Sequence, residues 1–451
     1  MSSAASAQLA ASRTADGTGA SGPDRRHRAW LLGLLFVAFA LRLVWALYAA
    51  RNPVELNDPH VYLVQARGIA DGEGYRQIDG LPTAYFPIGY PAFLAVITWF
   101  VDHSPLTSVP RTVAVVQAIL GTISVWLVWR IAASLLGRRT ALIAAGIVAV
   151  FPGLLLYSAP LLSETLFVTL ELAALGFLLA APWTAEPPSW PRLAGFGVLT
   201  GLAALVRPQS LVLVAALAVA LALARVGWRR SLAAGCVALA AAVLVIAPWT
   251  ARNAITMKAF VPISTNTGDD LCIGHNSLAY GGFGTFPACA DVPGKLGRER
   301  ETARDAKNTR AAADYALHNP LDELRLLRHK LEYLYLGDSG AIAAVESYGH
   351  DRFLAAGARS ALKTVADVYF FVVLALAILG LPLLAIRRDP RRMMLLLATL
   401  AMAFMPLAFF GDMRFHVPAS PLFAILAAAA LARLLPSVGG RLRRAHTPRP
   451  L

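Results

Sequence analysis

Two carboxylates and three arginines in this sequence stand where long apolar runs give way to polar residues. Asp58 lies in "LNDPHVYLVQARGIADGEGY", residues 56–75, directly after the first apolar run. Glu164 lies in "LYSAPLLSETLF", at the start of another. A carboxylate at the edge of an apolar run is costly to bury, and within hydrogen-bond reach of a hydroxyl it can take the proton as a general base. The arginines are Arg207 in "ALVRPQS", Arg252 in "APWTARNA" and Arg414 in "GDMRFHVPASP". Each carries a planar fork of donors matched to a phosphate, on a lipid headgroup or on a bound substrate. Plainer readings stand beside these. Asp58–Pro59 has the pattern of a helix N-cap followed by a first-turn proline, and Ser163–Glu164 that of a cap with an acid favoured by the helix dipole.

The elements that must hold these residues are membrane helices. Of the 451 residues 57% are hydrophobic and only 15% charged, too apolar for a soluble domain, so the fold expected is an all-α polytopic membrane protein. Apolar runs at about 29–49, 111–134, 139–157, 162–181, 193–206, 208–226, 231–250, 366–386, 393–410 and 415–435 suit ten crossings. The basic groups Arg25/Arg26/Arg28, Arg138/Arg139, Arg192, Arg229/Arg230, Arg387/Arg388/Arg391/Arg392 and Arg441/Arg443/Arg444 then all fall on one side. Lysine and arginine favour the cytoplasmic side, which puts both termini there, in a cell or plasma membrane. The apolar segment 86–102 would break that pattern as an eleventh crossing, so a re-entrant or surface-lying helix is expected instead.

This layout predicts a disordered basic tail at 1–28 and a transmembrane core over 29–250 that includes a first outer loop at 50–110. An outer loop region at 251–365, carboxy-terminal spans at 366–436 and a basic tail at 437–451 follow. The second outer loop carries mixed charges at i, i+4 and a Leu/Tyr face, read as amphipathic helices broken at Asn319–Pro320. Cys272 and Cys289 fall in this loop and can form a disulfide in an oxidising compartment, although spacing alone also allows two unlinked thiols. The net charge of +14 is spread between spans and not gathered on one polar domain, so no nucleic-acid partner is expected. There is no P-loop, no G-x-G-x-x-G, no HExxH, no CxxC pair and no GxSxG, and the histidines have no ligand spacing. Turn residues in "DGEGY" and "FPIGYPAFLA" gather Asp58, Arg67, Tyr75 and Tyr85 into one compact loop. Arg67, Tyr62, Tyr85, Tyr90 and His416 are the expected substrate contacts.

The strings "NDPHVYLVQARGIADGEGY", "FPIGYPAFLA", "LLSETLF", "GLAALVRPQSLVL" and "IAPWTARNAITMKAFVPISTNTGDDLCIGHN", in this order at outer helix ends, resemble the C-type (GT-C) membrane glycosyltransferases. The branch is the one similar to protein O-mannosyltransferases and the aminoarabinose transferase of lipid A. The resemblance implies a polyprenyl-phosphate sugar donor used on the extracytoplasmic face and a lipid, polysaccharide or protein acceptor. It also implies a first-loop acid acting on that acceptor, here Asp58, with Glu164 matching the acid of the second outer loop. Where many mannosyltransferases of the group carry Asp-Glu in the first loop, this sequence has Asn57–Asp58. With one base, single displacement inverts the anomeric centre. Arg207, Arg252 and Arg414 are the expected donor-phosphate ligands, and Glu164 supports Asp58, positions the acceptor or completes a divalent-cation site. A transporter or flippase of lipid-linked intermediates is the competing reading, disfavoured because the middles of the spans hold few polar residues.

Overall fold

The computed structural model describes residues 22–180, 183, 187–295, 297–385 and 389–435. Most of both tails, together with Arg387, Arg388, Arg441, Arg443 and Arg444, lies outside the described residues. The described chain is helical, and its only β pairings are two isolated bridges, Arg76↔Pro82 and Gly282↔Gly411.

Seventeen α-helices follow one another among the described residues. They are α1 (Gly22–Ala49), α2 (Asp58–Ala70), α3 (Gly89–Asp102), α4 (Val109–Leu136), α5 (Arg138–Ala149) and α6 (Pro152–Leu156). Next come α7 (Glu164–Leu179), α8 (Trp190–Val206), α9 (Val212–Leu223), α10 (Trp228–Met257), α11 (Thr267–Gly274) and α12 (Gly297–His318). The last are α13 (Pro320–Leu334), α14 (Gly340–Val345), α15 (Ala356–Ala385), α16 (Pro390–Phe404) and α17 (Ser420–Leu434). Local chemistry sets several starts. Ser108 and Asp389 cap α4 and α16 by accepting from the Arg111 and Arg391 amides, each with a proline in the first turn. Arg207 is extended because Pro208 follows it, and that ends α8.

Six described segments are long and apolar enough to cross a membrane: Arg25–Ala49, Val109–Leu136, Trp228–Met257, Ala356–Leu384, Pro390–Ala408 and Met413–Leu434. The other expected crossings differ from the sequence reading. The run at 139–157 is divided between α5 and α6, because Pro152 cannot donate to a continuing helix. Glu164–Leu179 has 16 residues, and the apolar helices at 190–206, 208–223 and 89–102 are also short. At the other end of the chain, α1 starts at Gly22, so the tail expected to run to residue 28 is helical in its last turns.

The helices close a circuit of packed neighbours. In it α4 meets α5 and α7, α7 meets α8, α8 meets α10, α10 meets α9, α9 meets α16, α16 meets α15, α15 meets α17, and α17 returns to α5. Small residues permit close contact between α8 and α10: a Cβ on Gly197 would overlap Ala238 O, and one on Gly201 would lie 2.8 Å from Ala242 O. This is the small-xxx-small approach by which membrane helices pack where no hydrophobic drive separates them from lipid. α17 is the innermost helix, buried continuously from Ser420 to Ala430.

Polar residues are less scarce inside the bundle than the sequence suggests. Arg42 is 1% exposed; its guanidinium donates to Ala38 O, Val148 O and Ala149 O and so caps the end of α5. Glu171 is completely buried in α7, and neither of its oxygens has a partner among the described residues. At one end of the bundle α2 packs on α3 and α11 on α12, and these pairs frame the polar site.

Candidate active site

Asp58 is the first residue of α2 and not its cap. Asn57 takes that place: its backbone is extended and its side chain accepts from the His60 amide at 3.3 Å. The Asp58 carboxylate is thereby free to reach across the fold, where Oδ2 accepts from Arg414 Nη1 at 2.7 Å. It remains 35% exposed.

Glu164 opens α7 and is completely buried. Its Oε1 accepts from Arg207 Nη2 at 2.6 Å and also from Arg414 Nε, while Arg207 Nε donates to Ser163 Oγ at 3.0 Å. Ser163 thus holds an arginine in place of capping the helix. Four segments distant in sequence, the starts of α2 and α7, the end of α8 and the 413–419 turn, meet in one charged network of two acids and two arginines. Arg207 Nη1 and Arg414 Nη2 donate to no acceptor among the described residues. Donors therefore remain for a ligand.

Two residues that sequence reasoning did not single out also belong here. Tyr348 accepts from Arg414 Nη1 at 3.2 Å through its hydroxyl and is 44% exposed. It follows Ser347, and both take left-handed backbone angles (φ 47° and 55°) that cost a non-glycine residue free energy and tend to cluster at working sites. The turn is braced by Glu346, which pairs with Arg359 at 2.5 and 2.8 Å and accepts from the Leu354 amide. Asp270 of α11 accepts from Asn266 Nδ2 at 3.0 Å. Burial, with Asp269 and then Asp58 adding like charge, pushes its carboxyl up to about 8. The tandem acids of "TGDD" were the only local sign of it.

The other expected contacts are placed elsewhere. Arg252 does not reach Glu164; it donates to Thr83 O, Tyr75 O and Asn253 Oδ1 and lies over the rings of Trp249 and Tyr75. Two of its donors serve backbone carbonyls of the 75–84 hairpin, where Tyr75 O also accepts from the Thr83 amide, and this fixes the hairpin. His416 is completely buried, with Nδ1 on Leu334 O (2.8 Å) and Nε2 on Asp338 Oδ1 (3.3 Å); it anchors the turn that carries Arg414 and cannot touch a substrate. Tyr90 is likewise buried and donates to Gln117 Oε1. Arg67 is exposed nine residues beyond Asp58, about 13 Å along the helix by its rise per residue. Tyr62 stays beside Asp58, one turn along α2, with its ring edge-on to Phe86 and Tyr90; burial raises its phenol above the usual range. Tyr85 donates to Asp269 Oδ2 at 2.9 Å, and Arg304 lies over its ring and pairs with Asp269 at 3.1 Å.

Cys272 and Cys289 are joined by a disulfide, with Cα atoms 5.8 Å apart. Asn308 of α12 bridges Asp269 Oδ1 and Cys289 O, so the bond and the acid pair belong to one unit.

A divalent cation does not fit between Asp58 and Glu164, because Arg414 already occupies that space with its own charge. Among the described residues no group of three or more His, Cys, Asp or Glu is arranged to hold a metal. Below Glu164 a cavity of about 20 Å³, bordered by Arg42, Ser124, Tyr157 and Thr165, has room for one water. The open side of the network is at Asp58 and Tyr348, 35% and 44% exposed.

Residues 92–251 match the sequence family described as dolichyl-phosphate-mannose-protein mannosyltransferase. The matched segment contains Glu164 and Arg207 but not Asp58, Arg252 or Arg414. Among solved structures, the archaeal oligosaccharyltransferase AglB from Archaeoglobus fulgidus, in complex with an inhibitory peptide and a dolichol-phosphate, aligns at 15% identity and TM-score 0.54 over 94% of this chain. An Archaeoglobus fulgidus oligosaccharyltransferase in complex with zinc and sulfate aligns at 18% identity and TM-score 0.55 over 92%. The chain spans about half the length of these oligosaccharyltransferases, covering 53% and 50% of them. ArnT from Cupriavidus metallidurans bound to undecaprenyl phosphate aligns at 15% identity and TM-score 0.42, over 90% of this chain and 78% of that one. No curated protein sequence matches. At these identities the likeness to AglB is one of fold. With the family match it fits a GT-C protein similar to the protein mannosyltransferases.

Proposed function

We propose that this chain is a membrane glycosyltransferase that moves a sugar from a polyprenyl-phosphate donor to an acceptor hydroxyl, on the extracytoplasmic face and with inversion. The observation that carries this reading is the half-open Asp58 carboxylate, held by Arg414 at one oxygen beside guanidinium donors that are not yet used. The dolichol-phosphate named for AglB agrees with such a donor.

In the proposed step the acceptor hydroxyl hydrogen-bonds to Asp58 and attacks the anomeric carbon from the face opposite the phosphate. The new C–O bond forms as the bond from that carbon to the phosphate oxygen breaks. The hydroxyl proton passes to Asp58, and the bonding pair leaves with the polyprenyl phosphate, which becomes a monoester anion. Arg414 and Arg207 stabilise the charge developing on that phosphate, an electrostatic contribution that is strongest when the donors are fixed beforehand. Glu164 fixes them. Paired with two arginines through Oε1 and closed to solvent, it is out of reach of an acceptor hydroxyl, and its role is to orient Arg207 and Arg414. Arg252 is withdrawn from the phosphate site to the support of the 75–84 hairpin. The same reading places both termini in the cytoplasm, keeps 50–110 and 251–365 outside, and makes lipid, polysaccharide or protein the acceptor.

The test is turnover of a panel of radiolabelled polyprenyl-phosphate sugars by purified protein, wild type against Asp58→Asn. Loss of a general base lowers transfer by about 10²–10⁴-fold, with expression and insertion unchanged. Wild-type turnover by the variant would remove Asp58 from the chemistry, and no turnover of any donor by the wild type would remove the reaction.

A further inference from the structure

α13 is fixed by one face to the end of a membrane helix. Leu326, Lys330 and Leu334 are buried. Lys330 Nζ lies 3.1 Å from His275 Nε2 and 3.4 Å from Leu407 O, and His275 joins Glu323 (2.9 Å) to Ala408 O (3.1 Å). Leu407 and Ala408 belong to the 405–408 turn that continues α16. Just past α13, the Tyr335 hydroxyl donates to Ala403 O of α16 at 2.8 Å, and its ring stacks on Phe370 of α15.

Counting back from Tyr335 in steps of four and three gives Leu331, Arg328, Leu324 and Leu321, one stripe of the helix. At its Tyr335 end this stripe is seated on α15 and α16, two of the six helices apolar enough to cross a membrane. At the other end it is bare: Leu321 is 81% and Leu324 65% exposed, and Leu317, just before the Asn319–Pro320 break, is 78% exposed. Arg325 and Arg328 beside them are 57% and 79% exposed, each paired among the described residues with a carboxylate of its own helix. A face that begins on membrane helices and runs past them meets what surrounds those helices, which is lipid.

We propose that α13 is an in-plane membrane helix, with Leu317, Leu321 and Leu324 in the acyl boundary of the leaflet on the site's side and Arg325 and Arg328 at lipid phosphates. Apolar residues on one face with arginines beside them are the composition such helices use. Because α13 also holds the turn that leads to Arg414, lipid contact on one face of the helix steadies the site on the other. The surface is argued from the packing alone and does not depend on sugar transfer.

Cysteines placed at 321 or 324, in a Cys236→Ser background that keeps the Cys272–Cys289 bond, would carry an environment-sensitive fluorophore in full-length protein reconstituted in phosphatidylcholine bilayers. The expected result is blue-shifted emission at both positions and loss of intensity when the acyl chains are brominated, with neither change for a label at Ala311 of α12. Water-like emission at 321 and 324, unaffected by brominated lipid, overturns the proposal and leaves the stripe to a protein partner.

Discussion

Arg414 touches Asp58, Glu164 and Tyr348 at once, and the two acids it joins differ in what they can tolerate. Glu164 is closed to solvent and Asp58 is 35% exposed. Removing one partner of a buried ion pair leaves an uncompensated charge and costs roughly 3–5 kcal/mol. Glu164→Gln is therefore expected to lower the thermal midpoint clearly as well as to reduce transfer, whereas Asp58→Asn loses transfer with little change in stability; thermal unfolding of both variants in detergent checks the contrast. Asp270 gives a pH signature. Its folded carboxyl titrates near 8 against an ordinary 3.8, so between these values the folded state binds more protons than the unfolded one and stability falls as pH rises. Asp270→Asn removes that penalty. Its gain in midpoint over wild type should grow from pH 5 to pH 8 and then level off, and a gain that shrinks with rising pH would contradict the assignment.

At the scale of elements, short segments outside the long helices decide where the chemistry sits. The cap at Asn57 releases the Asp58 side chain, the extended Arg207 before Pro208 lets its guanidinium reach Glu164, and the braced left-handed turn at Ser347–Tyr348 brings a phenol onto Arg414. α11 with its disulfide supplies Asp269 and Asp270. A cross-link closing a loop of this size contributes about 3 kcal/mol by restricting the unfolded chain. The double variant Cys272→Ser/Cys289→Ser is expected to lose stability of that order and to raise hydrogen exchange in 267–290 while α4 and α17 keep their protection. Exchange measured by mass spectrometry reads both.

For the whole molecule, the circuit of helices is closed by contacts that admit no side chain. Gly197→Leu would drive a side chain into Ala238 O, and separation of α8 from α10 would displace Arg207 at the end of α8. The expected outcome is poor recovery of folded protein, or loss of transfer in what is recovered, read by size-exclusion profile and turnover. The sequence by itself determined the helical membrane class, because apolar runs near bilayer length need no partner to be recognised. It also determined the break at Asn319–Pro320 and the candidacy of Asp58, Glu164, Arg207 and Arg414, since charge at the edge of an apolar run is visible locally. Only the tertiary structure decided which arginines share an acid, that Arg252 and His416 serve the backbone and a buried aspartate, and that Tyr348 reaches the arginine that holds Asp58. Those are contacts between residues as much as 356 positions apart. No local pattern encodes them, because the same guanidinium satisfies a carbonyl, a carboxylate or a phosphate equally well, and packing alone chooses among them.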